Sequence, residues 1–421
     1  MSTYARFPLA KVLVANPGML RVRPAASLFL SQYMGRFPVR RHGENLILHS
    51  HLPPLTSKAY ARFVEHHLLA RRSGPSHAQI GLTNACPQNC EYCYNKHRHG
   101  VCMDTPTILR VVDDLREAGV AWLGFTGGEP LLNRDLVEIT AYAAARDMAV
   151  KLFTTGVGLT PRLAADLGRA GLFSVAVSLD HWEAARHDAS RRYPGAFKAA
   201  LEAISVFKRV PGLHVSVSSV LSRDMIRTGQ VETLLAFLDS LGVDEAWLSE
   251  VKPSVDGLWS EELVITEDDR REVARIQDEH NRALRRSGPR AERTSPAGGG
   301  RRPIGMTVNY LGHFEGAENF GCNAGGKMVY VDAFGEVSPC VFLPLSFGNV
   351  RERPLGEILA EMGSCFPGEG RCFVNKNYRL LGDQAAGALP LRREGSLRLL
   401  KRVEFGPASE FGRRLWGRRA A

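Results

Sequence analysis

AQIGLTNACPQNCEYCYNK, residues 78–96, is the stretch that decides the fold of this chain. It opens with a largely apolar run that is typical of a strand buried in a parallel sheet. Cys86, Cys90 and Cys93 follow within one short loop. Three thiolates can hold three irons of a cubane iron–sulfur cluster and leave the fourth iron open to bind another molecule. The stretch therefore predicts a metal centre at the end of a buried strand.

The odd number of cysteines in this loop favours an iron–sulfur cluster over a disulfide or a structural zinc site. A disulfide uses two thiols, and a structural zinc site usually takes four ligands. From these residues alone a zinc site stays open, because candidate fourth ligands lie nearby, namely Cys102, His97 and His99.

The length and composition are those of a globular protein. The chain has 421 residues, of which 44% are hydrophobic and 23% are charged, so one large domain or two ordinary ones are expected. No apolar run approaches the roughly 18 residues of a membrane-spanning helix, and the first residues lack a signal-peptide pattern. We therefore expect a cytoplasmic protein, in which the eight cysteines serve metal or redox chemistry rather than disulfides.

Outward from residues 78–96, apolar runs alternate with helical patterns. The strand-like runs are 78–84, 121–127, 149–156, 172–180, 214–221 and 245–251, and the helical patterns include 105–119, 159–171 and 230–242. This alternation predicts an α/β fold, either a doubly wound sheet or a barrel. Polar residues stand at the C-terminal end of every strand, among them Thr83, Asn84, Glu129, Thr155, Ser178, Asp180, Ser218 and Glu250. Because such ends meet at one mouth only in a barrel, the sequence favours a barrel, complete or partial.

The net charge of +10 is concentrated in two stretches, 285–302 and 392–419, which together hold the whole positive excess. The first is rich in Gly, Pro and Ser and predicts a flexible linker. The second mixes Leu, Phe and Trp with arginines, which suits a helix packed on the barrel or, alternatively, contact with anionic lipid. An iron–sulfur or zinc protein that binds nucleic acid would carry a basic face with aromatics on its folded body. We therefore expect no nucleic-acid partner.

Residues 77–253 resemble the radical SAM superfamily. The resemblance rests on Cys-x3-Cys-x2-Cys with Tyr92 before the third cysteine, on TGGEP (126–130) and on VSLD (177–180). It implies a partial (βα)6 TIM-type barrel and a [4Fe–4S] cluster that the three cysteines hold and whose open iron chelates S-adenosylmethionine. It also implies reductive cleavage of S-adenosylmethionine to a 5′-deoxyadenosyl radical, which abstracts a hydrogen from the substrate.

The resemblance further implies which residues contact S-adenosylmethionine. Glycines let a backbone approach a ligand closely, and a carboxylate complements an ammonium group. The predicted cofactor-binding residues are Tyr92, Gly127, Gly128, Glu129, Thr155, Ser178 and Asp180. The third strand departs from the family, because it ends in Thr154-Thr155-Gly156 where many members have Asn before the Gly. The sequence assigns no catalytic residue.

Four further cysteines resemble the auxiliary-cluster extension known as SPASM or, when shortened, twitch. They are Cys322, Cys340, Cys365 and Cys372, and a hairpin is expected around DAFGE (332–336) between the first two. A complete SPASM domain has seven cysteines and two clusters, so four cysteines imply one auxiliary [4Fe–4S] cluster. Cys365-x6-Cys372 departs from the tight closing pair of the twitch pattern. The auxiliary cluster is therefore expected either to be fully ligated or to keep an open iron for the substrate.

These patterns divide the chain into an N-terminal extension (1–76), a radical SAM partial barrel (77–284), a basic linker (285–303), an auxiliary-cluster domain (304–375) and a basic tail (376–421). We predict an oxidoreductase or maturase that acts on a ribosomal peptide or a small metabolite and takes electrons from a donor such as flavodoxin or ferredoxin. The alternative is a lipid or isoprenoid substrate at a membrane surface, which the basic tail would contact.

Overall fold

The structure of the chain is a computed structural model that describes residues 3–5, 9–72, 74–253, 261–287, 292–294, 301–303, 305–366, 370–384, 389–403 and 405–416. The first elements form a small N-terminal unit with β1 (Thr3–Ala5), α1 (Leu9–Ala15), α2 (Pro24–Met34), β2 (Val39–His42), β3 (Asn45–Ile47) and α3 (Lys58–Phe63). A 3-10 turn (Pro17–Arg21) and a π-helical turn (Val64–Leu69) complete this unit. Its strands pair antiparallel in the order β1–β2–β3.

A barrel of six parallel strands follows. Its elements are β4 (His77–Thr83), α4 (Thr105–Glu117), β5 (Trp122–Gly127), α5 (Leu136–Ala144), β6 (Ala149–Thr154), α6 (Pro161–Arg169), β7 (Leu172–Ser178), α7 (Ala184–Arg191), α8 (Ala196–Phe207), β8 (His214–Leu221), α9 (Arg223–Arg227), α10 (Gln230–Ser240) and β9 (Glu245–Glu250). Strands β4 to β9 lie side by side in chain order, and each neighbouring pair is parallel. The predicted (βα)6 arrangement is confirmed.

The sheet continues beyond the barrel strands on both edges. The remaining elements are α11 (Glu267–Ser287), β10 (Glu292–Thr294), β11 (Arg301–Pro303), β12 (Thr307–Tyr310), α12 (Leu311–Phe314), β13 (Met328–Val331), β14 (Val337–Ser338), α13 (Leu355–Cys365), α14 (Phe373–Gln384), α15 (Arg393–Leu400) and α16 (Glu410–Trp416). Strand β12 pairs parallel with β9, and β13 pairs parallel with β4. Over the described residues the sheet runs from β12 to β14 without closing, so the barrel is partial.

Residues 304–375 therefore share a sheet with the barrel. The hairpin expected around residues 332–336 is present, since β13 and β14 pair antiparallel with Tyr330 opposite Ser338. The expected linker over 285–303 lies largely outside the residues that the structure describes. The division of the chain into domains stays a prediction.

The N-terminal unit covers the N-terminal ends of the barrel strands. The Ser50 amide donates to the Glu245 carboxylate over 2.7 Å, and the Trp122 indole donates to the Ser50 carbonyl over 2.8 Å. The His77 ring lies 2.8 Å from the His51 carbonyl. Because this end of the barrel is filled by protein, a ligand site has to lie at the opposite end, where the strands finish.

The two ends of the described chain pack together. The ring of Phe29 on α2 lies 5.3 Å from that of Phe320 and 5.4 Å from that of Phe411 on α16. Phe411 and Leu415 are buried. Helix α16 thus packs on the N-terminal unit rather than on the barrel. None of the helices in the described parts of the chain is both long and apolar enough to cross a membrane.

Candidate active site

The C-terminal ends of the barrel strands surround a cavity of about 360 Å³. The loop of residues 86–93 lines one side of it, and Cys340 lines another. Ser178, Ser218 and Glu250 reach it from the ends of β7, β8 and β9. The polar strand ends therefore meet at one mouth, as a barrel requires.

The three thiols of this loop all line the cavity. Cys90 is buried, Cys93 is partly buried and Cys86 is exposed. Burial raises the pKa of the Cys90 and Cys93 thiols. Cysteine binds a metal centre as a thiolate, because metal ligation removes its proton.

The spacing of these thiols does not match a site for a single zinc ion. A tetrahedral zinc site with Zn–S bonds of about 2.3 Å holds its sulfurs about 3.8 Å apart. The Sγ atoms of the three cysteines do not all lie within 4.8 Å of one another. A cubane gives each thiolate its own iron and so holds the sulfurs farther apart. The zinc candidates Cys102, His97 and His99 are not among the residues that line the cavity.

A buried ion pair supports the Cys90 side of the loop. Arg191, at the end of α7, places Nη1 4.0 Å from the Cys90 sulfur and donates through Nε to Asp180 over 2.8 Å. Asp180 also accepts the Tyr92 hydroxyl and the backbone N–H of Val220. Burial alone would raise the pKa of Asp180, but the Arg191 guanidinium lowers it below its usual value. Asp180 thus holds Arg191 and Tyr92 in place, and its predicted contact with the cofactor stays a prediction. Arg191 was not predicted from the sequence.

Two glycines let the loop after β5 lie against the cysteine loop. Gly127 has a φ of +119°, and a Cβ there would lie 2.3 Å from the Thr83 carbonyl oxygen. A Cβ on Gly128 would lie 2.3 Å from the Ala85 carbonyl oxygen. Backbone hydrogen bonds of 2.7 and 2.8 Å join Gly128 to Thr83 and Glu129 to Ala85. Any other residue at these two positions would push the cysteine loop away.

The Glu129 carboxylate lies behind this surface rather than in it. It is fully buried and is not among the residues that line the cavity. It accepts from the Leu131 amide over 3.0 Å, the Thr154 hydroxyl over 2.7 Å and the Thr155 amide and hydroxyl over 2.7 and 2.5 Å. Glu129 therefore fixes the end of β6 relative to β5, and its predicted contact with the cofactor stays a prediction.

Three of the four C-terminal cysteines form a second group, in which Cys372 is buried and Cys322 and Cys340 are partly buried. Burial and the nearby Cys372 raise the pKa of Cys322 to about 12. The pKa of Cys340 is raised well above its usual value by burial and then by Cys322 and Cys372. Cys365 ends helix α13, where its sulfur lies 3.9 Å from the Ser364 hydroxyl. A group of three neighbouring thiols suits a second metal centre.

A buried charged network joins the second group to the cavity. The Lys252 ammonium lies 3.1 Å from the Cys372 sulfur, 2.9 Å from Glu250 and 3.6 Å from Glu315. Burial would raise the pKa of Glu250, but Arg270 and Lys252 lower it below its usual range. Lys252, Glu250 and Glu315 all line the cavity. Only Glu250 carried a signal in the sequence, as the polar end of a strand.

The structure brings most of the predicted site residues to one cavity. Those that line it are Cys86, Cys90, Tyr92, Cys93, Gly127, Gly128, Thr155, Ser178 and Cys340. Glu129 and Asp180 lie directly behind it as hydrogen-bonded supports, and Cys322 and Cys372 lie beside Cys340. Their roles as ligands stay predictions.

Sequence comparisons place known families on the same segments. The radical SAM superfamily matches residues 80–222, and an iron–sulfur cluster-binding domain, SPASM, matches residues 322–365. A PqqA peptide cyclase of Streptomyces rochei is 31% identical over 297 residues, which cover 68% of this chain and 75% of that protein. An AdoMet-dependent heme synthase of Methanosarcina barkeri is 27% identical over 297 residues, which cover 69% of this chain and 84% of that protein.

Solved structures share the fold. Streptococcus suis SuiB bound to S-adenosylmethionine superposes with a TM-score of 0.54 at 14% identity, covering 74% of this chain and 75% of SuiB. The same protein bound to its precursor peptide SuiA gives a TM-score of 0.51 at 14% identity, covering 71% of this chain and 68% of SuiB.

Proposed function

This chain belongs to the radical SAM superfamily and carries a SPASM iron–sulfur domain, and we propose that it is a maturase that oxidises or cross-links a ribosomally made peptide. The observation that supports the proposal is the single cavity lined both by the loop of residues 86–93 and by Cys340. A substrate side chain in this cavity would lie between the cysteine loop and the group of C-terminal cysteines that includes Cys340. A peptide is favoured because a PqqA peptide cyclase is 31% identical to this chain over 297 residues.

We assign the S-adenosylmethionine-binding [4Fe–4S] cluster to Cys86, Cys90 and Cys93. When bound, the cluster and S-adenosylmethionine supply a 5′-deoxyadenosyl radical that removes a hydrogen atom from the substrate. The residues of this chain hold the reactants and keep water away. Gly127 and Gly128 let the loop after β5 lie against the cysteine loop, and the aromatic side chains of Phe153, Trp247 and Phe342 line the cavity.

We assign the auxiliary [4Fe–4S] cluster to Cys322, Cys340, Cys365 and Cys372. This cluster supplies either an acceptor for the electron left after oxidation or an open iron for the substrate. Lys252 contacts Cys372 and also lines the cavity, so it lies at the boundary between the substrate space and this cluster. The Lys252 ammonium favours the negatively charged thiolate form of Cys372.

Partners and location belong to the same proposal. The reductant is a small electron carrier such as flavodoxin or ferredoxin, and the protein acts in the cytoplasm. The lipid alternative loses support, because Leu399, Phe411 and Leu415 of the basic tail are buried against the protein. A tetrapyrrole is the competing substrate class, since relatives of similar coverage are named heme synthases.

The test is a turnover assay with protein that has been purified and reconstituted without oxygen. The short peptides encoded beside its gene are offered one at a time with S-adenosylmethionine and a reductant, and a modified tetrapyrrole is offered in a parallel arm. We expect one peptide to lose two hydrogens per bond formed, by mass spectrometry, and to accelerate 5′-deoxyadenosine release.

The control is a matched pair of cysteine variants. Cys86→Ala abolishes the reaction, whereas Cys102→Ala, an exposed thiol outside the cavity, retains it. Acceleration by the tetrapyrrole alone contradicts the peptide proposal and leaves the radical SAM assignment intact.

A further inference from the structure

Three potential metal ligands meet at the end of the barrel that is opposite the cavity. His42 ends β2, His214 begins β8, and Asp244 immediately precedes β9. His42 Nε2 lies 3.4 Å from His214 Nδ1 and 3.6 Å from Asp244 Oδ1. Among the described residues this is the one set of three histidine, cysteine or carboxylate ligand atoms that lie within 4.8 Å of one another.

The spacing is that of a tetrahedral metal site. Zinc binds imidazole nitrogen and carboxylate oxygen at about 2.0–2.2 Å, which places neighbouring ligand atoms about 3.4 Å apart. The two observed separations, 3.4 and 3.6 Å, match this value closely. Two side chains that only share a hydrogen bond would bring their polar atoms nearer, to about 2.9 Å.

A second group of residues holds His214 in the form that binds a metal. His214 Nε2 lies 2.8 Å from the Glu245 carboxylate, which is fully buried and keeps the proton on that nitrogen. The Nδ1 lone pair therefore faces His42. A carboxylate that orients a histidine in this way is the usual support of a metal-bound imidazole.

Two carboxylates and one guanidinium lie beside the two imidazoles. Asp244 Oδ1 accepts from Arg40 over 3.0 Å, and Asp244 Oδ2 accepts from the Val215 amide over 2.9 Å. These two contacts fix the orientation of the Asp244 carboxylate beside His42.

We propose that His42, His214 and Asp244 bind one zinc ion that fastens the N-terminal unit to the base of the barrel. Two imidazoles and one carboxylate favour zinc over magnesium or calcium, which take oxygen ligands. The side chains are 7%, 1% and 15% exposed, which leaves Asp244 as the side from which the metal and a water ligand enter. The role is structural, because the N-terminal end of a barrel contributes to stability and the opposite end to chemistry.

The test measures zinc in protein that carries both iron–sulfur clusters, so that the cysteines are already occupied. After dialysis with zinc and then without it, we expect about one zinc per chain by mass spectrometry. X-ray absorption at the zinc edge should show nitrogen and oxygen neighbours near about 2.0 Å and no sulfur near about 2.3 Å.

Three variants give the matched comparison. His42→Ala and Asp244→Asn should each lower bound zinc at least tenfold, whereas His66→Ala, a histidine of the same unit whose ring lies against Gly119, should not. Iron content and S-adenosylmethionine cleavage should stay unchanged in His42→Ala, which separates loss of zinc from loss of folding.

Three results would overturn the proposal. They are wild-type protein that retains no zinc, His42→Ala that retains as much zinc as the wild type, and sulfur in the zinc shell. In the first case the three side chains are a metal-free packing cluster. None of these results bears on the radical SAM assignment, because the site shares no residue with the cavity.

Discussion

Four donors of the chain surround the Glu129 carboxylate. Two come from Thr155, whose amide and hydroxyl both donate to Oε2, and the others come from Thr154 and Leu131. Such a carboxylate has little capacity left for a direct contact with an ammonium group. We therefore propose that its effect on S-adenosylmethionine passes through Thr155, which lines the cavity.

Replacing Glu129 by Gln tests this arrangement. The substitution replaces one accepting oxygen by an NH2 group, which cannot accept the hydrogen bonds that Thr154 or Thr155 donates. We therefore expect the free energy of unfolding to fall by about 1–3 kcal/mol. Affinity for S-adenosylmethionine should fall together with stability. Denaturant unfolding and equilibrium dialysis measure the two quantities, and Glu138→Gln, an exposed position on α5, serves as the control. A loss of affinity without loss of stability would indicate that Glu129 contacts the cofactor directly.

Arg191 shows why part of the site could not be predicted from the sequence. Its contact with Cys90 joins residues 101 positions apart, and nothing in the local pattern of α7 distinguishes it from a surface arginine. The cysteine loop and TGGEP (126–130) were predictable because their chemistry is visible in the residue types themselves. A buried cation such as Lys252 or Arg191 acquires its role only when the fold brings it to a thiol.

At the scale of elements, the six barrel strands were predictable because each is a nearly continuous apolar run. A strand of a parallel sheet needs such a run, because both of its faces are buried. Strands β12 and β13 were not predicted as parts of this sheet. Each has four residues, and each pairs with a strand far away in sequence, β12 with β9 and β13 with β4. Short strands carry too little pattern to show which edge of a sheet they will join.

The two uncertain ligands of the auxiliary cluster lie at the end of α13 and just before α14. Cys365 is the last residue of α13, and Cys372 immediately precedes α14. The SPASM match ends at residue 365, which favours Cys365 as a ligand, whereas burial beside Lys252 favours Cys372. We therefore expect four protein ligands.

Single alanine variants separate full ligation from an open iron. Cys365→Ala and Cys372→Ala should each remove the second cluster and lower iron by about half, from about eight atoms per chain to about four. Iron analysis and the spectroscopic signal of the reduced clusters measure this, with Cys102→Ala as the control. A normal second cluster in either variant contradicts four-residue ligation and assigns the open iron to the substrate.

At the scale of the whole molecule, the two ends of the barrel have separate roles. The N-terminal unit fills one end through Ser50 and His51, which contact Glu245 and His77 of the barrel, and α16 packs on that unit through Phe29 and Phe411. The other end keeps an open cavity that reaches from the cysteine loop to Cys340. Stability is thus built at one end, and the space for chemistry is left at the other.

This separation predicts that the two cysteine groups can be uncoupled. A variant with Cys86, Cys90 and Cys93 all changed to Ala should keep about four of about eight irons and should release no 5′-deoxyadenosine, because no site for S-adenosylmethionine remains. Cys340→Ala should keep slow 5′-deoxyadenosine release, because the cysteine loop is intact, but should form no product. Iron analysis and chromatography of both products measure the outcome. If Cys340→Ala forms product at the normal rate, the cavity does not couple the two groups, and a substrate bound between them is contradicted.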